Sequence, residues 1–287
     1  MRGARPQAAL EADFAATVSA RAGEVLVAAV SGGADSAALS ALLAQTAERA
    51  GATAVFAHVN HGVRRGAWQD EAVVLALGAA LGVRVVTAAL DAGSADEARL
   101  RGERYAKLTQ IATAVGAARV FTAHHAEDQT ETVLLALFRG AGPDGLCGMP
   151  VRRELAPGLE LVRPLLEVLP QALRSYCHAR HLPFAIDPTN VELAYRRNAV
   201  RAALAPLRAD FPHLDAAVAR CATILREERA GDPAALVRRQ LREELTAIDG
   251  DARELTFERL DAAARAVLRG ARGRHFLRRG IELVVGD

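Results

Sequence analysis

Val25-Leu-Val-Ala-Ala-Val-Ser31-Gly-Gly-Ala-Asp-Ser36, continuing into the apolar stretch from Ala37 to Leu43, joins an unbroken apolar run to a helix through a turn of small residues. A run of Val, Leu and Ala without polar alternation reads as an inner strand of a parallel sheet, covered on both faces. Ligands of such sheets dock at the carboxyl ends of the strands. Gly32 and Gly33 carry no Cβ, so phosphate oxygens can approach the backbone N–H groups of the turn through Ala34, while Ser31 and Ser36 add hydroxyl donors at the helix start. Asp35 repels phosphates unless a divalent cation lies between them, which predicts Mg²⁺ there with phosphate oxygens and water.

Two common nucleotide motifs do not fit. A Walker loop needs Gly-x4-Gly-Lys-Ser/Thr, and this turn has no lysine; the dinucleotide fingerprint needs Gly-x-Gly-x-x-Gly, and Gly32-Gly33 lacks that spacing. The pattern Ser-Gly-Gly-x-Asp-Ser instead resembles the pyrophosphate loop of the N-type ATP pyrophosphatases. That resemblance implies ATP cleaved between its α- and β-phosphates to give an adenylated intermediate. The plain alternative is an ordinary tight strand-to-helix turn.

The chain has 287 residues, enough for one large domain and a small one. Its net charge is +2, and Lys107 is the only lysine among 36 basic residues. Arginine suits phosphate clamps through its bidentate fork, although the charge total by itself does not indicate nucleic-acid binding. Cys147, Cys177 and Cys221 are far apart without a Cys-x-x-Cys, so neither a disulfide framework nor zinc is predicted, and a reducing cytoplasm is expected. No stretch approaches the roughly 18 apolar residues of a membrane span, so a soluble protein is expected.

Strand-like runs recur at 25–30, 54–59, 83–89 and 119–123, separated by helical segments at 35–50, 67–81 and 95–115 and preceded by an amphipathic helix at 8–21. This alternation predicts an α/β, doubly wound, mostly parallel five-stranded sheet, with ligands where the strand order reverses. If the first strand lies beside the fourth, Ser31–Ser36 and the segment from His124 share one crevice. Beyond Pro150 a helix near 170–180 and a short strand at 183–186 are expected to complete the first domain, 1–211. Residues 212–287 read as a small, mainly helical domain, with helices at 216–229, 234–246 and 257–268 and a closing hairpin at 275–285.

Further runs carry chemistry. In Thr122-Ala-His124-His125-Ala-Glu127-Asp128-Gln-Thr-Glu131-Thr132, a helix starting near Ala126 puts Asp128 and Glu131 three apart on one face, able to point into the crevice. Acidic residues are also favoured in any first helical turn, and His124 or His125 is equally readable as a packed loop histidine. His58-Val-Asn60-His61-Gly-Val-Arg64 ends the second strand, and alone reads as a polar loop. Arg101 and Arg104 lie three apart on a helix where surface salt bridges are the plain reading. Asp187-Pro-Thr-Asn190 is turn chemistry, whereas Arg196, Arg197 and Arg201 could line a phosphate track.

Taken in order, these segments resemble the bacterial tRNA(Ile)-lysidine synthetases, members of the same superfamily. The resemblance adds Glu97-Ala-Arg-x4-Arg104-Tyr105, Arg163-Pro-Leu-Leu-Glu167 and Tyr195-x-Arg197-Asn198, and covers about residues 24–206. It is thin beyond 212. It implies ATP- and Mg²⁺-dependent joining of free L-lysine to the wobble cytidine of the CAU anticodon of tRNA(Ile). ATP would be held by Ser31, Gly32, Gly33, Ala34, Asp35, Ser36, His58 and Asn60, and the chemistry done by Asp35, Arg104, His124, Asp128 and Glu131. His124 or Arg104 would offset negative charge, and either Asp128 or Glu131 would act on the amine. Arg64, Arg197, Asn198 and Arg201 would hold tRNA, in a cytoplasmic enzyme for which a homodimer is left open. A tRNA thiolation enzyme of the same superfamily, a small-molecule ligase and a non-catalytic nucleotide- or RNA-binding module are the alternatives; the isolated cysteines argue against the first.

Overall fold

The computed structural model describes residues 7–60, 67–90, 97–185, 196–249, 256–278 and 281–285. By internal contacts the chain divides into two units, Met1–Leu135 with Gly148–Ala219, and Ala136–Cys147 with Arg220–Asp287. Among the described residues no helix is long and apolar enough to cross a membrane.

The first unit is built on strands β1 (Val25–Ala29), β2 (Thr53–Asn60), β3 (Arg84–Ala89), β4 (Arg119–Phe121), β5 (Arg152–Ala156) and β6 (Leu159–Val162). They form one six-stranded sheet in the order β3-β2-β1-β4-β6-β5. All neighbours are parallel except β5 and β6, which form an antiparallel hairpin at one edge. The sheet therefore holds one strand more than the sequence predicts. Strand order reverses between β1 and β4, which are paired through Leu26–Arg119, Val27–Val120 and Ala28–Phe121.

Side chains alternate across the sheet, and the two cores follow from that period of two. Leu26, Ala28 and Val30 join Phe56, Phe121 and Val162 on one face, under α1 (Gln7–Val18), α2 (Ala34–Ala50), α3 (Ala67–Leu81) and α7 (Pro170–Ala179). Val27, Val55, Ala57, Val120 and Leu161 line the other face, under Tyr105, Leu108, Ile111 and Ala112 of α4 (Glu97–Ala114). A strand buried on both faces cannot alternate polar and apolar residues, which is why β1 reads as a continuous apolar run.

α5 (Ala126–Leu137) follows β4, and α8 (Arg196–Asp210) is a helix, with Pro206 inside it, where the sequence predicts only an arginine track. The strand expected at 183–186 is reduced, over its described residues, to one bridge between Ala185 and Gly33.

The remaining elements are α6 (Pro143–Leu146), α9 (Leu214–Arg229), α10 (Pro233–Asp249), α11 (Phe257–Leu268), β7 (Gly273–Arg278) and β8 (Ile281–Val285). In the second unit Leu241, Leu245, Leu260, Ala263, Ala264 and Leu277 form a separate core, and β7 and β8 pair as the expected hairpin. Arg238 is buried there between Glu227 and Asp261, ion-paired to both.

Candidate active site

The turn after β1 is held in shape by its own residues. Gly32 has φ +96°, and a Cβ at that position would lie 3.2 Å from the Asp70 carbonyl oxygen, so glycine is required there on two counts. Its carbonyl accepts a hydrogen bond from the Ala185 N–H at 2.8 Å, which pins the turn from the far side. Gly33 differs: it caps α2 in extended conformation, and a Cβ there would meet only Ser31 Oγ at 3.7 Å. Among the described residues nothing forbids a side chain at Gly33; the bare backbone there leaves room for a ligand.

Gly33 supplies no side-chain cap, so the first N–H groups of α2 have no intrahelical partner and carry the positive end of the helix dipole. The two serines then separate. Ser36 is buried, donates to the Gly33 carbonyl at 2.9 Å and accepts from the Ser31 N–H at 3.2 Å, so it fastens the turn. Ser31 stays exposed, its Oγ 3.1 Å from Ser36 Oγ. His58 is buried at the end of β2, and its Nδ1 lies 2.8 Å from the Val30 carbonyl, which ties the end of β1 to β2. Asn60, half-buried, directs Nδ2 toward Glu71 at 3.5 Å.

Across the strand reversal, the segment between β4 and α5 brings acids and histidines to the same place. His125 Nε2 lies 3.6 Å from Asp35 Oδ2 and 3.4 Å from Asp128 Oδ2, bridging the turn to α5. The sequence reading did not place His125 in the site; its position next to His124 in the same run was the available signal. Asp128 Oδ2 also accepts from the His125 backbone N–H at 3.1 Å, an N-terminal capping bond for α5. Burial opposes the Asp128 charge, but His125, His124, that N–H and Arg197 outweigh it, and the carboxyl lies below its ordinary range. At Asp35 burial prevails, with Asp128 and Glu127 adding to it against His125 and Arg174, and the carboxyl is pushed up. Asp35 Oδ1 is buried, with no hydrogen-bond partner among the described residues.

Glu131 has no exposed side-chain surface. Its two oxygens receive Arg201 Nε at 2.7 Å and Nη2 at 3.1 Å, a bidentate pair, and Arg197 Nε approaches Oε2 at 3.1 Å. Burial pushes the Glu131 carboxyl up while Arg201 and Arg197 pull against it. Arg197 also donates to Thr132 Oγ1 at 3.1 Å, and Arg201 Nη2 lies 3.8 Å from Asp128 Oδ1. Thus the predicted second carboxylate and two predicted tRNA-binding arginines are joined to one another. Asn198 is half-buried on the same helix, α8. Arg64, with His61, Asp187–Asn190 and Tyr195, lies outside the described residues.

His124 Nδ1 lies 2.9 Å from Thr122 Oγ1. Burial pushes its pKa down to about 3, against Asp128 and with help from Arg163, Arg101 and Arg104. The ring is therefore neutral near pH 7, and what it can offer an anionic oxygen is an N–H. Positive charge comes instead from Arg104, half-buried beside Tyr105 with Cζ 5.6 Å from the ring centroid. Burial lowers the Arg104 pKa, with Tyr105 opposing, but from a value so high that it remains a cation.

Among the described residues no three His, Cys, Asp or Glu side chains gather as a metal cage. Mg²⁺ held with phosphates needs only one or two protein carboxylates, and the unpartnered Asp35 Oδ1 at the phosphate turn fits such a role.

A strand-reversal crevice with a glycine turn on one side and paired acids on the other defines a nucleotide-binding α/β domain, and the PP-loop domain model matches residues 6–208. The chain belongs to the PP-loop family. It is 44% identical over 216 residues to the tRNA(Ile)-lysidine synthase of Salinispora tropica, covering 72% of this chain and 64% of that protein. It is 42% identical over 208 residues to that of Ralstonia nicotianae, covering 70% of this chain and 45% of that one. The chain thus matches between about half and two-thirds of the length of these relatives. Its fold is similar to that of the U34-tRNA thiolase NcsA from Methanococcus maripaludis, with TM-score 0.64, 13% identity, and coverage of 76% of this chain and 78% of that one.

Proposed function

We propose that this chain is an ATP-dependent tRNA(Ile)-lysidine synthase, a cytoplasmic ligase that adenylates the C2 oxygen of the wobble cytidine and replaces it with the ε-amine of free L-lysine. The observation that carries the reading is the His125 bridge, which sets Asp35 of the phosphate turn and Asp128 of α5 on one imidazole. One crevice can then hold a triphosphate and an amine together. Similarity to the synthases supports the same assignment. Residues 1–211 carry the catalytic role in this reading, and residues 212–287 an accessory one.

The C2 oxygen of cytosine is a poor leaving group. Its attack on the α-phosphate of ATP, with loss of pyrophosphate, converts it to an adenylate. The α2 N-terminal amides and Ser31 receive the phosphates, His58 and Ser36 hold the turn that presents them, and Asn60 lies at the crevice end of β2. Asp35 would hold Mg²⁺, which when bound neutralises phosphate charge. Arg104 and the N–H of neutral His124 stabilise charge developing on the phosphate and base oxygens.

Lysine's ε-amine, with a pKa near 10.4, is neutral in about one molecule in 2,500 at pH 7, a handicap of roughly 4.6 kcal/mol. Asp128, held ionised by its neighbours, binds the ammonium; the amine that has lost one proton to solvent attacks C2, the C2–O bond breaks with AMP as the leaving group, and the nitrogen, acidic once bonded, passes its second proton to Asp128. Glu131, its oxygens taken by Arg201 and Arg197, orients α8 beside Asp128. Holding both reactants together contributes on the order of 7–11 kcal/mol.

Sulfur transfer is disfavoured by Cys177, whose thiol donates to the Ala34 carbonyl and is pushed by burial to a pKa of about 12. AMP release decides between the two. The reading requires release that depends on tRNA and lysine together; release driven by sulfide, or independent of tRNA, overturns it.

A further inference from the structure

We propose that Arg101, Arg153 and Arg163, gathered around Tyr105, form a second anion site that holds a backbone phosphate of the RNA beside the reacting base. This rests on the reading of the chain as a tRNA-modifying enzyme and extends it to residues that reading leaves idle.

The site follows from strand register. Arg153 on β5 pairs with Leu161 on β6, and Arg163 lies two residues beyond Leu161, so all three side chains fall on one face of the sheet. Leu161 belongs to the core beneath α4, which identifies that face as the one bearing Tyr105 and Arg101. Arg101 Cζ lies 5.5 Å and Arg153 Cζ 5.2 Å from the Tyr105 ring centroid, with Arg104 at 5.6 Å. A ring has two faces, and its quadrupole does not neutralise three cations. Arg163 is 2% exposed; its Nη1 donates to the Pro150 carbonyl at 2.8 Å, and its Nε is buried with no partner among the described residues. Among the described residues, no carboxylate forms an ion pair with Arg101, Arg153 or Arg163. Buried and half-buried guanidinium groups without a counter-charge among the described residues, Arg163 with its unpartnered Nε above all, can take up an anion.

The anion is not the triphosphate held by the glycine turn. β6 lies two strands from β1, about 10 Å at ordinary strand spacing. Nor does a single carboxylate, matched by one guanidinium fork, use three of them. The cluster opens at β5, the edge strand, where a polymer can pass. Arg163 and Arg101 also lie near enough to His124 to depress its pKa, and in the proposed mechanism His124 faces the reacting base, whose own phosphates must lie within one nucleotide of it.

The test is binding of a CAU-anticodon isoleucine tRNA transcript to the full chain between 50 and 200 mM KCl. Replacing Arg101 and Arg153 together by alanine should flatten the slope of log affinity against log salt by about 0.7–0.9, one phosphate's worth. Over that range the affinity then falls roughly threefold less than in the native chain. The Arg→Lys pair keeps the slope, and Arg101→Gln alone, a milder change, flattens it by about half as much. ATP and lysine affinities, measured without RNA, stay unchanged. An unchanged slope in a folded variant overturns the site; a loss of ATP affinity instead assigns it to the triphosphate, and a loss of lysine affinity to the lysine carboxylate. A native chain that binds no tRNA overturns the functional reading as well, whereas native tRNA-dependent AMP release with an unchanged variant slope overturns the site alone.

Discussion

Replacing His124 by asparagine removes a titration from the middle of the candidate site while keeping a polar partner for Thr122 Oγ1, which lies 2.9 Å from Nδ1 in the native chain. Burial lowers the folded-state pKa of His124 from an ordinary 6.5 to about 3. Between those values the unfolded chain binds a proton that the folded chain does not, so stability falls as pH drops from 6.5 toward 3. At one pKa unit per 1.36 kcal/mol, the share of that loss between pH 7 and pH 5 is about 2 kcal/mol. Asp35 and Glu131, both pushed up, act in the opposite direction at the acid end and are common to both proteins. Urea unfolding of native and His124→Asn chains at the two pH values isolates the imidazole by difference. The native chain should lose about 2 kcal/mol more than the variant. Equal losses would refute the neutral, half-buried imidazole and with it the assignment of His124 as an N–H donor.

The two glycines of the phosphate turn should part company on mutation. Gly32→Ala forces a side chain to φ +96° against the Asp70 carbonyl and should cost about 1–3 kcal/mol by thermal unfolding, whereas Gly33→Ala should leave stability nearly intact and weaken ATP binding in calorimetry. Glu131→Ala removes the shared counter-ion of Arg197 and Arg201, which are 24% and 33% exposed, and should cost about 1–3 kcal/mol in urea unfolding, more than loss of an exposed pair. Asp128→Asn keeps the shape of the site but removes the proton acceptor; lysine incorporation into purified tRNA should fall by at least about a hundredfold. Full incorporation by that variant removes Asp128 from the mechanism.

The β1–turn–α2 unit was legible because a doubly covered strand cannot alternate and only small residues fit the turn. The placement of β1 beside β4, which sets the crevice, was only a condition in the sequence, because no local pattern encodes strand order; the structure supplies it. The β5–β6 hairpin was not legible: Arg152, Arg153, Glu154 and Glu160 give a short edge hairpin the composition of a charged loop. The helix α8 was hidden for a similar reason, since its arginines read as a phosphate track and Pro206 lies inside it. Asp128 and Glu131 were found by their spacing on α5. Their different fates were not, because Glu131 is claimed by Arg201, 70 residues away, a pairing that no local pattern encodes. Arg153 and His125 were missed as site residues for the same reason, each acquiring its place only through strand register or the meeting of two loops.

The central claim is that one crevice adenylates an RNA base and delivers lysine to it. Mass spectrometry of nuclease fragments from the CAU-anticodon isoleucine tRNA, after incubation with the chain, ATP and lysine, tests it directly. The account predicts a gain of one lysine less one water at the first anticodon position, absent when ATP or lysine is withheld. An unmodified anticodon from a folded chain that binds both ATP and the tRNA would contradict it.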